Sequence, residues 1–260
     1  MEYVAQQMMN ALAFGAEYAL IALGLAIVFS IMGLVNFAHG EVIAVGGYTM
    51  VAFAALALNN PFIVIGGAIA AAILMSLLLE RVAFRPVRYA DPTTGLLTAF
   101  GVSIILQNVF LLAVSPRPVA VTSLYFLDWP VQLLGVQVSS LQVFEAVTTV
   151  LVIVGLMLFL KRTTLGLAMR AASLDFEMVR MVGVKSNRVF AVAFMVSGLL
   201  AGLACIFIMA RRGSVDPHLG FNPVLKAFVA CVVGGFGSLP GAVLGGFLLG
   251  AIEVAMLVLL

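Results

Sequence analysis

Between Tyr18 and Leu79 the sequence carries one charged side chain, Glu41. No Asp, Glu, Lys or Arg occurs elsewhere in residues 18–40 or 42–79, and comparable runs recur to the end of the chain. Such runs have one stable setting. Crossing a hydrocarbon core roughly 30 Å thick takes about 20 apolar residues rising about 1.5 Å each, and a backbone without water partners must close its hydrogen bonds within a helix. Composition points the same way: 64% of the residues are hydrophobic and 9% charged, where soluble domains average about 25% charged. The expected fold class is all-α, a polytopic transmembrane helical bundle forming a single transmembrane domain over residues 1–260, with no soluble domain.

The apolar runs place spans at about Met8–Met32, Val42–Leu58, Phe62–Leu79, Thr94–Val114, Leu141–Leu160 and Phe190–Ala210. Asn59-Asn60-Pro61 is a turn signal between the second and third. Pro223–Leu260 is apolar but broken by glycines, and reads as two segments meeting near Gly234–Gly241, for about eight in all. Lysine and arginine mark the sides. Nine of them (Arg81, Arg85, Arg88, Lys161, Arg162, Arg170, Arg180, Lys185 and Arg188) fall in alternate loops, against three (Arg117, Arg211 and Arg212) in the opposite ones. Residues 81–93 and 161–189 are therefore expected in the cytoplasm. The N-terminus and loops 59–61, 115–140 and 211–222 are expected outside. Glu2 and the lack of a basic region ahead of a long apolar stretch argue for a retained first span rather than a signal peptide. Val121, Leu124, Phe126 and Trp129 alternate in loop 115–140, which is expected to lie along the membrane interface.

Several chemistries are excluded. Gly-Lys never occurs, so there is no G-x-x-x-x-G-K-[ST] phosphate loop, and His39 and His218 come without an HExxH or a nucleophile elbow. Cys205 and Cys231 lie in separate apolar runs without metal spacing, and read as buried free thiols. A formal net charge of +2 is too small to suggest nucleic acid. No catalytic residues, no metal and no cofactor are expected on this chain, and any ATP hydrolysis belongs to another.

The sole acid of the opening runs sits in "GLVNFAHGEVIAVGGY", residues 33–48, among Asn36, His39 and four glycines. A carboxylate at the bilayer centre costs on the order of 2.5–3.5 kcal/mol on insertion scales, unless it faces protein or water. Asn36 and His39 are near enough in sequence to supply its hydrogen bonds. The group is either a hydrogen-bonded knot fixing a helix break, a lining or gate of a transport pathway, or a direct contact for a substrate ammonium. Gly234–Gly250 resembles it in kind, and corresponding interrupted helices in two halves point to a pathway near the midplane. Asn36, His39, Glu41, Gly235, Ser238 and Glu253 are the candidate pathway residues, with Lys226 and Asn222 as conceivable partners of Glu253. Gly241-x-x-x-Gly245 and Gly246-x-x-x-Gly250 have the spacing of close helix packing.

Residues 161–189, the longest polar stretch, read as a short amphipathic helix pair. Ser173 and Asp175 can cap a helix, and Gly183 can stop one. The pair is either a basic interfacial element on anionic lipid or a docking element for a cytoplasmic partner.

Three stretches carry a resemblance. The pattern T-x-x-G-x-x-x-R-A-x-x-x-D-x-x-x-x-x-x-x-G-V, at Thr163, Gly166, Arg170, Ala171, Asp175, Gly183 and Val184, resembles the coupling loop of ABC importer permeases. "GLVNFAHGE" and "LKAFVACVVGGFGSLPGAVLGGFLLGAIE" are similar to stretches of one such family, the branched-chain amino acid permeases of the LivH type. The resemblance runs from about residue 10 to 257. It implies an inner-membrane permease subunit of a bacterial ATP-driven importer for branched-chain or related small amino acids, working by alternating access. Implied partners are a second permease, homologous or identical, two cytoplasmic ATPase subunits that hold the ATP, and a periplasmic substrate-binding protein. It further implies that Gly166, Arg170, Ala171, Asp175 and Gly183 belong to the ATPase-coupling segment. The sequence departs from the pattern at Leu167, where a basic residue is common, at the basic pair Arg211-Arg212, and at Leu260, where members usually continue. The alternatives are the same machine carrying urea or short amides, an ion-coupled secondary transporter using His39, Glu41 and Glu253, and a passive channel.

Overall fold

The computed structural model describes residues 2–58, 60–121, 124–133 and 136–259; Asn59 of the expected turn and the last residue, Leu260, lie outside the described residues. The first helix, α1 (Glu2–Met32), ends where Gly33 takes a left-handed φ of +68° and turns the chain back. Residues 34–38 lead into α2 (His39–Ala55). Asn60 then caps α3 (Pro61–Leu79) by accepting from the Phe62 amide at 3.0 Å, with Pro61 in the first turn, where its missing N–H costs nothing. A π-helical turn, Glu80–Phe84, carries α3 into the short α4 (Arg85–Val87), and α5 follows (Pro92–Ala113).

The loop beyond α5 holds strand β1 (Val119–Ala120), a 3-10 turn at Tyr125–Leu127, and the hairpin β2 (Pro130–Leu133) and β3 (Val136–Ser139). Val121 and Leu124 are buried while Phe126 and Trp129 are exposed, as the alternation suggests for a segment lying on a surface. Helix α6 (Ser140–Arg162) leads to the pair α7 (Thr164–Leu174) and α8 (Phe176–Met181), and α9 (Ser186–Arg212) returns. Strand β4 (Ser214–Val215) pairs antiparallel with β1, and α10 (Phe221–Gly234) and α11 (Leu239–Leu259) complete the bundle.

Six of these helices are long and apolar enough to cross a membrane, among the described residues. The other two apolar helices are short. At about 1.5 Å per residue, α2 with 17 residues and α10 with 14 fall short of a 30 Å core. The segments are thus eight, as the hydropathy suggests, but two of them are partial. Loops assigned to one side by charge do share an end. The β1–β4 pairing joins residues 119–120 to 214–215 at one end, termed outer after the side expected from the charge bias. At the inner end Arg88 donates to Asn187 at 2.9 Å, and the Arg180 guanidinium lies 5.5 Å from the Tyr89 ring centre.

The triplets α1–α2–α3 and α9–α10–α11 pack with the same plan in opposite directions. Each begins with a long helix, breaks, and continues as a short helix and a second long one. The first helix of each triplet lies against the last of the other, and small residues set both distances. A Cβ on Gly246 would sit 2.6 Å from the Ala19 nitrogen, and one on Gly202 2.9 Å from the Ile69 Cα. This is the arrangement of an inverted repeat.

The break that matches Gly33–Gly40 therefore lies at Gly213–Gly220, ahead of α10. Gly234–Gly250, which the sequence suggested as the partner, instead opens with a reversal at the inner end of the bundle, Gly234–Gly241. Gly235 has φ +86°, and Gly234 and Gly241 stand backbone to backbone, which lets α10 turn straight into α11. Hydropathy marks both places as interruptions of an apolar run, but it does not carry depth.

Candidate functional site

The N-termini of α2 and α10 meet in the middle of the bundle. Gly40 and Gly220 face each other so closely that a Cβ on Gly40 would sit 2.7 Å from the Gly220 carbonyl oxygen. Neither helix has a side-chain cap. The first amides of α2 turn back instead onto the carbonyls of Asn36, Phe37 and Ala38. Two helix starts at this depth concentrate partial positive charge there.

Glu41, in the first turn of α2, is buried at 1% exposure. Its Oε1 accepts from the Ser103 hydroxyl at 2.9 Å and from the Gln107 amide at 2.8 Å, while its Oε2 has no partner. The Gln107 carbonyl oxygen in turn lies 3.0 Å from Nδ1 of His218, in the re-entrant segment before α10. Ser103 and Gln107 come from α5, so the partners expected for Glu41, Asn36 and His39, do not serve it. His39 points away into the core, with Nδ1 3.1 Å from the Ser197 hydroxyl and its ring against Gly24. Asn36 is buried with both amide atoms unpaired. The reason is geometric: the 3-10-like entry into α2 turns Asn36, His39 and Glu41 to different sides.

The other candidate pathway residues lie elsewhere. Gly235 and Ser238 are at the inner end, where the Ser238 hydroxyl accepts from the Gly241 amide at 3.1 Å. Ser238 lines a cavity of about 290 Å³ together with Met169, Arg170 and Ser173 of α7. Glu253 is near the outer end, bound to Lys226 Nζ at 2.6 Å and to the Tyr18 hydroxyl at 2.6 Å. Of its two conceivable partners, Lys226 is the one used. Glu253, Lys226 and Tyr18 line a second cavity of about 260 Å³ together with Arg211, which spans Glu17 of α1 at 3.0 Å and Glu145 of α6 at 2.6 Å. Arg212 pairs with Asp216 at 3.3 Å. The unusual basic pair is thus accounted for by acids spread over three elements.

The coupling candidates cluster on α7 and α8. Thr163 caps α7 by accepting from Gly166 N at 2.9 Å, and Gly166 packs so tightly that a Cβ would lie 2.5 Å from the Leu160 Cα. Arg170 reaches the cavity beside Ser238, and the half-buried Ala171 supplies the carbonyl that ends the helix at the Asp175 amide. Asp175 caps α8 by accepting from Met178 N at 3.0 Å, and Gly183 closes it at φ +88°. Ser173 instead donates to the Arg170 carbonyl within α7, at 2.8 Å. Leu174, Met178, Met181 and Val182 stand exposed on this pair.

Cys205 and Cys231 are buried free thiols, the latter donating to the Ala22 carbonyl at 3.3 Å. No group of three or more His, Cys, Asp or Glu could hold a metal among the described residues. Sequence reasoning missed Ser103, Gln107 and His218. The signal for the first two was there: two polar residues at i and i+4 on one face of an otherwise apolar span.

Comparison with known proteins places these features in context. A family described as "Branched-chain amino acid transport system / permease component" matches residues 7–260. The high-affinity branched-chain amino acid transport system permease protein BraD of Pseudomonas aeruginosa is 39% identical over 95% of this chain and 84% of its own length. The permease proteins LivH of Salmonella typhimurium and Escherichia coli K12 are 37% and 35% identical, each over 96% of this chain and 85% of their own length.

Proposed function

The chain belongs to the family of permease components of branched-chain amino acid transport systems, and on that premise we propose that it is the membrane-spanning permease subunit of an ATP-driven importer. Its substrates are branched-chain or related small amino acids. It works in the bacterial inner membrane beside a second permease, homologous or identical. Two cytoplasmic ATPase subunits hold the ATP, and a periplasmic binding protein delivers the substrate.

One observation carries the location of the pathway. Gln107 is half-exposed and His218 exposed, although Gln107 bonds Glu41 at the convergence of the two partial helices and His218 bonds Gln107. Polar side chains at mid-depth are too costly to face lipid. The side that carries them therefore faces water or a second subunit, which supports reading Glu41 and Asn36 as part of the pathway wall. His39 supports that wall from behind. Gly235 and Ser238 belong to its inner end and Glu253 to the outer bracing of α10 and α11.

The same chemistry favours docking by α7 and α8. Exposed Leu174, Met178, Met181 and Val182, beside Asp175 and Arg180, offer an apolar knob with a charged rim. Such a patch fits a groove in a partner protein. Nucleotide-driven movement of the ATPases would displace this pair, and the displacement would reach the pathway through the helices above.

The test is reconstitution in proteoliposomes with the ATPase subunits and binding protein. Uptake of leucine, isoleucine or valine that needs ATP and the binding protein supports the reading. Uptake driven by an ion gradient through this chain alone would sink it.

A further inference from the structure

Five phenylalanines run in contact from the Glu41 cluster to the inner end of the bundle. Phe100 of α5 stacks on Phe37 of the first break with ring centres 4.3 Å apart. Phe37 meets Phe228 of α10 at 5.3 Å, Phe228 meets Phe236 at 5.4 Å, and Phe236 meets Phe29 of α1 at 4.4 Å. All five are half-buried, so the ladder lies along a surface rather than inside the core.

We propose that this ladder is the inner half of the permeation path: a surface that accepts the aliphatic side chain of the amino acid and seals the path below Glu41. The proposal rests on the transport reading above. Three observations carry it. Phe100 lies at i, i+3 and i+7 with Ser103 and Gln107 on α5, so the ladder and the polar cluster share one helix face. The half-exposed Gln107 on that face, with the exposed His218 bonded to it, is polar at mid-depth, which excludes lipid as its neighbour. At the head of the ladder two buried polar groups retain unmet hydrogen-bonding capacity, the whole Asn36 amide and Glu41 Oε2. An α-amino acid offers what these lack, an ammonium donor and a carboxylate acceptor beside an apolar side chain. The aromatic faces suit a branched aliphatic chain and offer a polar one no hydrogen bond.

The foot of the ladder suggests how it opens. Phe236 sits in the α10–α11 turn, and the next residues, Gly237 and Ser238, line the cavity that α7 closes with Arg170 and Met169. Movement of α7 therefore bears on the turn that holds Phe236, and through it on Phe29 and Phe228.

The experiment uses the complete reconstituted complex, with vesicles loaded separately with leucine and glutamine. Phe37→Ala and Phe228→Ala are expected to leak leucine without ATP at least tenfold faster than the unaltered complex, and to let glutamine through as well. Phe228→Leu, which keeps the bulk, is expected to remain sealed. Because an alanine variant can fail to assemble, Phe100→Cys and Phe228→Cys provide a second reading. Each is expected to react with a membrane-impermeant thiol reagent above the background of Cys205 and Cys231, and leucine is expected to slow the reaction. Tight vesicles with unchanged leucine uptake, or cysteines unreactive both with nucleotide and without, would overturn the ladder. If the unaltered complex shows no ATP-dependent uptake, it is the transport reading that falls.

Discussion

Gln107 of α5 joins Glu41 of α2 through a 2.8 Å hydrogen bond, and its other amide atom holds His218 at 3.0 Å. One side chain thus connects the acid of the first break to the re-entrant segment of the second. The connection depends on Gln107 being an amide, which donates on one side and accepts on the other.

Glu41→Gln keeps an acceptor for Ser103 and Gln107 but removes the charge. Insertion and yield are expected to stay unchanged. Initial uptake should fall roughly tenfold or more, since a hydrogen bond to a charged group contributes about 1.5–3 kcal/mol. Normal uptake rates would show that the carboxylate only holds the break in shape.

Gly40→Ala and Gly220→Ala each place a methyl against the opposite backbone. Forced overpacking costs about 1–3 kcal/mol, because here the obstacle is main chain and cannot rotate away. A lowered unfolding temperature in detergent is the expected outcome for both. Gly66→Ala, where a Cβ meets nothing within 4 Å, serves as the control.

Arg211→Ala leaves Glu17 and Glu145, both buried, without their counter-charge. Removing one partner of a buried ion pair typically costs on the order of 3–5 kcal/mol. The loss should be partly recovered when Glu17→Gln and Glu145→Gln are added. Thermal unfolding of the single and triple variants decides it, and an Arg211→Ala protein as stable as the parent would remove the network from the account of the fold.

Asp175→Ala deletes the cap of α8, worth about 0.5–2 kcal/mol. Since α8 has only six residues, the pair α7–α8 should lose its shape without affecting the spans. Capture of the ATPase subunits on the immobilised permease is expected to drop severalfold. Full retention would move the docking site elsewhere.

Much of this was legible in the residues, and the rest failed for definable reasons. Runs of apolar side chains gave the six long helices, the lysine and arginine bias grouped the loops by end, and Asp175 and Gly183 marked α8 through a local hydrogen bond and a left-handed turn. All of these are short-range signals. The partners of Glu41 were not, because Ser103 and Gln107 lie 62 and 66 residues away and only packing brings α5 to α2. The misplaced second break has a related cause. Gly234–Gly241 and Gly213–Gly220 both interrupt apolar sequence, and what separates them is how far the preceding segment has travelled through the bundle.

The contact between Gly40 and Gly220 has a mechanical consequence. Where two main chains touch without side chains between them, there is no soft layer to absorb displacement. The meeting point can therefore serve as a fulcrum: α10, about 21 Å long at 1.5 Å per residue, would tilt about its upper end if its lower end were pushed. A small thrust at the inner turn then swings Phe228 while Glu41 stays nearly fixed. A lever of this kind can open the lower part of a passage and leave the upper part in register, which is the asymmetry that one-way delivery requires.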